Sequence, residues 1–361
     1  MRPRLIKRSE QSKVMVYASP LLALLLTLIS GIILFSIMGV APGAALYAFF
    51  IEPVSTLYGL TELGVKATPL VLIGIALALG FRANVWNIGA EGQLTLGAIF
   101  GGGVALYFYN VESPFILPLM LLSGIAGGML WAAIPAFLRT RFNANEILTS
   151  LMLTYVATLL LSFLVHGPLR DPDGFNFPES RLFHEAALLP VIVENTRLHL
   201  GSLIALLVVG TVWLMMARTL IGFQIKVVGA APLAGCYAGF KQERLIWFTL
   251  LLGGAAAGLA GVIEVSGPIG QLLPNISPGY GFTAIIVAFV GRLHPLGVLL
   301  AGLLLALSYL GGETAQIELN LPLAVTGVFQ GLLLFFLLAC DVLINYRIVF
   351  GNPALVTKGT R

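Results

Sequence analysis

Charge is what this sequence has least of. Only 10% of its 361 residues are Asp, Glu, Lys or Arg, whereas soluble globular domains carry about 25%. So few charged groups cannot cover the surface of a water-soluble fold of this size. Because 58% of the residues are of hydrophobic types, the composition predicts a protein that crosses a membrane several times.

Cysteine and the common catalytic motifs are scarce or missing as well. Cys236 and Cys340 are too few for a disulfide framework. The sequence has no GxxxxGK[ST] phosphate loop, no HExxH and no GxSxG. Its four histidines form no cluster, and the net charge of +4 is too small to indicate nucleic-acid binding. We therefore expect no enzyme activity, no metal and no cofactor from this chain.

Long apolar stretches dominate what is present. A transmembrane helix needs about 20 mostly apolar residues, and about ten stretches approach this length. They lie near residues 16–40, 63–81, 85–109, 114–138, 146–165, 199–217, 245–264, 281–291, 296–310 and 322–343. The first is too long for the apolar region of a signal peptide, so we interpret it as an uncleaved span. The fold class is therefore all-α and polytopic, with some helices short or broken, in a single transmembrane domain, 1–361.

Basic residues indicate the orientation of these helices. With the N-terminus inside, most of the 20 Lys and Arg lie in cytoplasmic segments, and only Arg170, Arg181 and Arg197 lie clearly outside. Cytoplasmic loops carry an excess of Lys and Arg, so an N-in, C-in arrangement is favoured. It makes 1–15 and 344–361 cytoplasmic termini and 218–244 a cytoplasmic loop. It also makes 166–198 an extracytoplasmic loop, either an ordered cap or a partner-contact surface.

A stretch rich in proline and glycine, 265–280, separates two predicted helices. Non-helical backbone at membrane depth occurs only where it is buried in protein or lines a watery cavity. The stretch is therefore either a re-entrant element beside a transport path or an ordinary outside loop. Glu264, which precedes it, is expected near the outer end of its helix, close to water.

One apolar stretch contains the polar residues Asn87, Glu91 and Gln93. An ionisable group inside a bilayer costs about 2.5–3.5 kcal/mol on insertion scales and is normally directed at protein or water. Asn87 and Glu91, four residues apart, would share a helix face, with Gln93 turned away. Gly89 and Gly92 would let a neighbouring backbone approach. These polar side chains either clamp helices together or line a translocation path.

The cytoplasmic loop contains a short helix signal. Pro232 suits a first helical turn and Gly239 suits a helix end. Leu233 and Tyr237 would share one face of this helix. Such a short, barely charged helix has little reason to persist in water alone. It is either a docking element for a cytoplasmic partner or a plain connection.

Four blocks, in order over residues 84–297, carry a family resemblance. The segment NVWNIGAEGQLTLGA (84–98) resembles the NIGAEGQ signature of ATP-binding-cassette (ABC) importer permeases of the nucleoside and simple-sugar group. NEILTSLMLTY (145–155), the 222–239 segment, and GYGFTA through GRLHPLG (279–297) are similar to further stretches of that group. Cys236 and Thr154 depart from the pattern of that group. The signature is closest to the nucleoside-type permeases.

The resemblance implies a permease fold in the bacterial inner membrane, surrounded by lipid. It implies as partners a cytoplasmic ABC ATPase, a second permease subunit (identical or homologous) and an extracytoplasmic solute-binding protein. The substrate would be a nucleoside or a simple sugar, moved by alternating access. The ATPase-coupling loop would comprise Gly229, Ala230, Ala231, Pro232, Leu233, Tyr237, Ala238 and Gly239.

A nucleoside needs hydrogen-bond partners and an apolar wall. Along the substrate path, the candidate hydrogen-bond partners are Asn87, Glu91 and Gln93. The candidates for the apolar wall are Trp86 and Phe282. Two other classes of transporter stay open. One is an ion-coupled secondary transporter with Glu91 or Glu264 as its coupling carboxylate, and the other is a passive facilitator of a small polar solute.

Overall fold

The structure, a computed structural model, describes residues 3–8 and 13–350. Its helices are α1 (Lys13–Ile37), α2 (Pro42–Phe50), α3 (Leu57–Arg82), α4 (Ala90–Tyr107), α5 (Ile116–Phe142), α6 (Glu146–His166), α7 (Gly201–Arg218), α8 (Leu220–Ala230), α9 (Pro232–Tyr237), α10 (Gln242–Glu264), α11 (Tyr280–Val290), α12 (Pro295–Leu319) and α13 (Leu323–Asn345). Each of the ten predicted stretches coincides with one of these helices.

Seven helices in the described part are long and apolar enough to cross a membrane, namely α3, α5, α6, α7, α10 with its extension, α12 and the greater part of α13. Shorter apolar helices include α8 and α11. Helix α4 belongs to neither group because Glu91 and Gln93 lower its mean hydropathy. A polytopic helical membrane protein is therefore confirmed, whereas the number of crossings and the orientation stay predictions.

The two ends of the described chain depart from the all-α prediction. Strands β1 (Pro3–Lys7) and β2 (Tyr346–Phe350) form an antiparallel ribbon, in which Pro3 lies opposite Phe350. Two extended segments distant in sequence can satisfy each other's backbone groups in this way. The rest of the predicted cytoplasmic termini, 1–2, 9–12 and 351–361, lies outside the described residues.

A prediction about one helix boundary is also wrong. Helix α4 begins at Ala90 instead of residue 85, because the preceding turn leaves the helical path. Asn84 adopts a left-handed conformation (φ 57°), and the Val85 N–H donates to the Gly80 carbonyl at 2.8 Å, which closes the end of α3. Within the predicted cytoplasmic segment 218–244, α9 is the short helix that the sequence predicts, whereas α8 was not predicted.

The described chain divides into two compact units. The smaller unit comprises the residues up to Pro53 and those from Gly311 onward. Its core contains the rings of Phe35, Phe49 and Phe329 packed against one another, and the Phe49 and Phe329 centroids lie 4.8 Å apart. Sequence reasoning did not find α2, which begins with Pro42 at its first turn and supplies Phe49 to this core.

The larger unit, Val54–Leu310, is built around α4, α5 and α10. These helices touch through their backbones at glycines. A Cβ on Gly97 would collide with the backbone of Gly258, and one on Gly128 would collide with the carbonyl of Gly254. Small residues allow this close approach, which stabilises helix pairs inside membranes by direct packing.

The 265–280 stretch is irregular but well bonded. It opens with a π-helical turn, Val265–Ile269, and then runs without helix to α11. Its backbone pairs with the 166–198 segment: the Ser180 N–H donates to the Leu272 carbonyl at 3.0 Å, and the Phe183 N–H donates to the Gly270 carbonyl at 2.8 Å. The 166–198 segment therefore caps the irregular stretch. Glu264 is only 8% exposed, contrary to the expectation that water is close to it.

Candidate functional site

Asn87 and Gln93 bind each other. The Asn87 amide donates to Gln93 Oε1 at 2.9 Å, and the Gln93 amide donates to Asn87 Oδ1 at 3.2 Å. Asn87 Oδ1 also accepts from the Gly89 N–H at 3.1 Å. Both side chains are buried. The prediction that Asn87 shares a helix face with Glu91 while Gln93 turns away is wrong, because Asn87 precedes α4 and its amide reaches forward along the helix start.

Glu91 is directed at the start of α11. Its Oε2 accepts from the Gly281 N–H at 2.6 Å, and the Ser277 hydroxyl also bonds to this carboxylate. Ser277 Oγ in turn accepts from the N–H groups of Gly279 and Tyr280 at 3.1 and 2.9 Å. A carboxylate is favoured there because the first N–H groups of a helix lack partners within the helix.

Two glycines bring α6 against the segment that precedes α4 and against its first turn. A Cβ on Gly89 would lie 2.6 Å from the Ser150 carbonyl oxygen, and one on Gly92 would lie 2.8 Å from the Cα of Thr154. The Ser150 hydroxyl accepts from the Ile88 N–H at 3.2 Å. The NIGAEGQ segment is thus a junction at which α4, α6 and α11 meet.

Trp86 lies at the other end of α11. Its ring stacks on Phe289 with centroids 5.8 Å apart, and Phe81 stacks on Phe289 at 5.0 Å. The Trp86 N–H donates to Glu146 Oε1 at 3.3 Å, and Arg139 forms an ion pair with the same carboxylate. The backbone of Trp86 is therefore fixed to α6, and its ring covers the end of α11.

Phe282 lies on a partly exposed face of α11. Its side chain is 39% exposed, and Ile285, Ile286 and Phe289 on the same face are half-buried. Spacings of three, four and seven residues place these four side chains on one side of the helix. On another side the Thr283 hydroxyl shares a 2.7 Å hydrogen bond with that of Tyr309. The structure thus separates Phe282 from the polar candidates, which are buried at the start of α4.

Helix α9 has the boundaries that its sequence predicts. Pro232 occupies its first turn, and Gly239, at φ +81°, follows its end. Leu233 is 86% exposed and Tyr237 is 97% exposed. Gly229, in the same segment, is instead packed against the chain, because a Cβ there would collide with the carbonyl of Arg82. Gly229 fixes α8 to the end of α3, while α9 presents its apolar side chains to the surroundings.

A partly buried ionic cluster lies before α7, in which Glu62 and His199 are buried and Arg197 is exposed. Arg197 Nε donates to Glu62 Oε1 at 2.9 Å, and this pairing with a buried carboxylate raises the pKa of Arg197. His199 is 2% exposed, and its Nδ1 accepts from the Gly201 N–H at 3.2 Å. Burial lowers the pKa of His199 to about 4, although the charge of Glu62 opposes this shift. His199 is therefore neutral at pH 7, and the cluster joins α3 to the start of α7.

Sequence reasoning did not find Ser277, Ser150 or Tyr309 as partners of this site. Ser277 carried a local signal, since Ser followed by Pro and Gly is typical of a chain that turns into a helix. Ser150 and Tyr309 stand in ordinary helical stretches. Their roles depend on which helices are neighbours, and no local pattern shows that.

Known proteins resemble this chain over most of its length. The family described as "Branched-chain amino acid transport system / permease component" matches residues 59–338. This chain belongs to that family.

Among its relatives, the glucose ABC transporter permease protein TsgB13 of Haloferax volcanii is 39% identical over 92% of this chain and 90% of the relative. The guanosine ABC transporter permease protein NupP of Bacillus subtilis is 30% identical over 94% and 97%. The nucleoside ABC transporter permease protein NupB of Lactococcus lactis is 26% identical over 88% and 89%. The chain is thus a permease subunit of an ABC importer and a multi-pass membrane protein, and the resemblance seen in the sequence is confirmed.

Proposed function

We propose that this permease carries nucleosides across the membrane by alternating access, along the exposed face of α11. The observation that supports it is the apolar, partly aromatic face formed by Phe282, Ile285, Ile286 and Phe289, with Trp86 at its end. Aromatic rings can stack on a planar base, and the walls of small-molecule sites are mostly apolar. In this proposal Asn87, Glu91 and Gln93 lie behind the path and hold its walls.

The length of α11 argues that this face does not simply meet lipid. Its 11 residues extend about 16 Å at 1.5 Å per residue, about half of the hydrocarbon core. An irregular stretch leads directly into the helix, and such backbone is tolerated at membrane depth only beside protein or a watery cavity. An exposed face on a half-length helix of this kind is a suitable wall for a path between two permease subunits.

A simple sugar is the second candidate substrate, because the relative that is 39% identical is named a glucose permease. The relatives named for guanosine and nucleosides and the form of the NIGAEGQ segment favour nucleosides. Aromatic rings can also pack on the apolar face of a sugar, so the wall accommodates either class.

The energy for transport would come from a partner. We propose that a cytoplasmic ABC ATPase binds α9, whose Leu233 and Tyr237 are almost fully exposed and form an apolar pair suited to a hydrophobic pocket on that partner. ATP hydrolysis in the partner would move α9, and Gly229 would transmit the movement to the end of α3. This chain itself would hydrolyse no ATP.

The opposite side would receive substrate from an extracytoplasmic solute-binding protein on the 166–198 segment. There Arg181 pairs with Asp171 and Asp173 at 3.4 and 3.2 Å, beside a depression of about 540 Å³. A second permease subunit, identical or homologous, would complete the path in the bacterial inner membrane.

The experiment that tests this proposal combines isolation of the complex with uptake. The tagged chain is purified from its native membranes, and co-eluting proteins are identified. We expect a stoichiometric ABC ATPase in the wild type and its loss when Leu233 and Tyr237 are both changed to Asp. Thr211→Ala, at an exposed site on α7, is the control.

Uptake of labelled guanosine and of glucose by the same cells then identifies the substrate. Competition by nucleosides but not by glucose supports the first candidate, and the reverse supports the sugar. Uptake that an ionophore abolishes at constant ATP would instead make the chain an ion-coupled transporter. Flux in liposomes that contain this chain alone would indicate a passive facilitator.

A further inference from the structure

We infer that Glu91 is a positioning residue: together with Trp86 it fastens α11 at both ends to one short segment, residues 86–91. This inference rests on the proposed function only in taking α11 as a wall of the substrate path. It gives the most polar residue of the NIGAEGQ segment a task other than contact with substrate.

At its N-terminal end α11 is bound by Glu91. The 2.6 Å bond from the Gly281 N–H to the carboxylate is supported by close packing, since a Cβ on Gly281 would lie 2.6 Å from the Cα of Glu91. Ser277 bonds both to the carboxylate and to the first N–H groups of the helix. A charge-assisted bond to backbone N–H groups is about twice as strong as a neutral one.

At its C-terminal end α11 is covered by Trp86. The indole lies 5.8 Å from the Phe289 ring at an interplanar angle of 25°, and the Trp86 backbone is held by Glu146. Only four residues separate Trp86 from Glu91, so one short stretch of chain reaches both ends of the half-length helix. A displacement of this stretch would therefore carry α11 and its exposed face with it.

The surroundings of Glu91 argue against contact with substrate. The residue is 8% exposed, and Oε2 of its carboxylate already accepts a hydrogen bond from α11. At this exposure the residue offers little surface to a substrate. Phe282, one residue beyond Gly281, is 39% exposed and is the side chain whose placement Glu91 controls.

The experiment measures the position of α11 without measuring transport. Phe282 is changed to Cys in full-length chain carrying C236S and C340S, and its rate of modification by a membrane-impermeant maleimide is followed in membrane vesicles. Glu91→Ala and Ser277→Ala are introduced separately. We expect each to change the labelling rate at least threefold, in the same direction, and we expect Glu91→Gln, which keeps an acceptor oxygen, to have a smaller effect.

Thr249→Ala is the matched control, because that buried hydroxyl bonds only carbonyls of its own helix, and its labelling rate should stay within 1.5-fold of the parent. If Glu91→Ala yields no folded protein, Ser277→Ala decides the question alone. Unchanged labelling in Ser277→Ala, or in folded Glu91→Ala, would overturn the inference. Because no ATP or substrate is present, this result is independent of the transport experiment.

Discussion

The NIGAEGQ segment and helix α9 both resemble family signatures, yet they are opposite in their surroundings. In residues 87–93 the polar side chains are buried and bond to one another or to α11. In α9, Leu233 and Tyr237 are more than 85% exposed. A buried polar group is unfavourable unless it is hydrogen-bonded. An exposed apolar patch is unfavourable unless another surface covers it. For the NIGAEGQ segment the compensation lies within the chain, whereas for α9 we propose that it comes from a partner.

Because one segment is buried and the other is exposed, substitutions in the two should affect different properties of the protein. Substitutions in the buried junction should change the free energy of unfolding, while substitutions on the exposed face of α9 should change assembly and transport.

Gly258→Ala should have the largest effect. Its Cβ would collide with the carbonyl of Gly124, so α5 and α10 must move apart, and we expect the free energy of unfolding to fall by about 3 kcal/mol. Gly103→Ala is the control, since no atom lies within 4 Å of a Cβ there. The stability of both variants is measured by thermal unfolding in detergent and by their abundance in the membrane. Equal stability of the two variants would contradict backbone contact as the basis of this core.

His199 should make the folded protein sensitive to acid. Because burial lowers its pKa to about 4, the unfolded chain binds a proton below its ordinary pKa of about 6.5, while the folded chain does not. Stability that is present above pH 6.5 is therefore lost as the pH falls toward 4, and about 2 kcal/mol should be lost at pH 5.

His199→Gln removes this titration. The difference in free energy of unfolding between pH 7.5 and pH 5 should shrink by about the same 2 kcal/mol in this variant. Melting curves of both proteins at the two pH values test it. A pH dependence as steep in His199→Gln as in the wild type would assign the acid sensitivity to other groups.

Asn87→Ala and Gln93→Ala should each lower the free energy of unfolding by about 1–3 kcal/mol, because each leaves a buried amide without its partner. The double variant should cost less than the two together, with a coupling of about 1 kcal/mol. Uptake per folded molecule should stay within twofold. A large loss of uptake at unchanged stability would place these amides in the substrate path after all.

Leu233→Ser with Tyr237→Ser should change the free energy of unfolding by no more than about 0.5 kcal/mol, because the side chains are already exposed. Uptake should nevertheless fall at least tenfold as the ATPase is lost. A destabilisation of several kcal/mol would show that α9 packs within the chain and is not a docking element.

Much of the fold followed from local patterns. Apolar runs located ten helices, and Pro232 and Gly239 delimited α9, because both residues act through their own backbone geometry. The start of α4 was misplaced since Asn84 ends α3 in a left-handed turn that apolar periodicity does not show. Helix α2 and the β1–β2 ribbon were missed, because a short apolar segment and two extended ends have no distinctive period of their own.

The sequence by itself determined the class of protein, the places of its long helices and the family to which it belongs. Only the tertiary structure decided what the polar residues do. Glu91 and Gly281 are 190 residues apart, and Asn87 meets Gln93 only because the chain turns before α4. Helix periodicity reports which residues share a face, but the partner across that face depends on how the helices pack, and in this core glycine backbones in contact fix that packing.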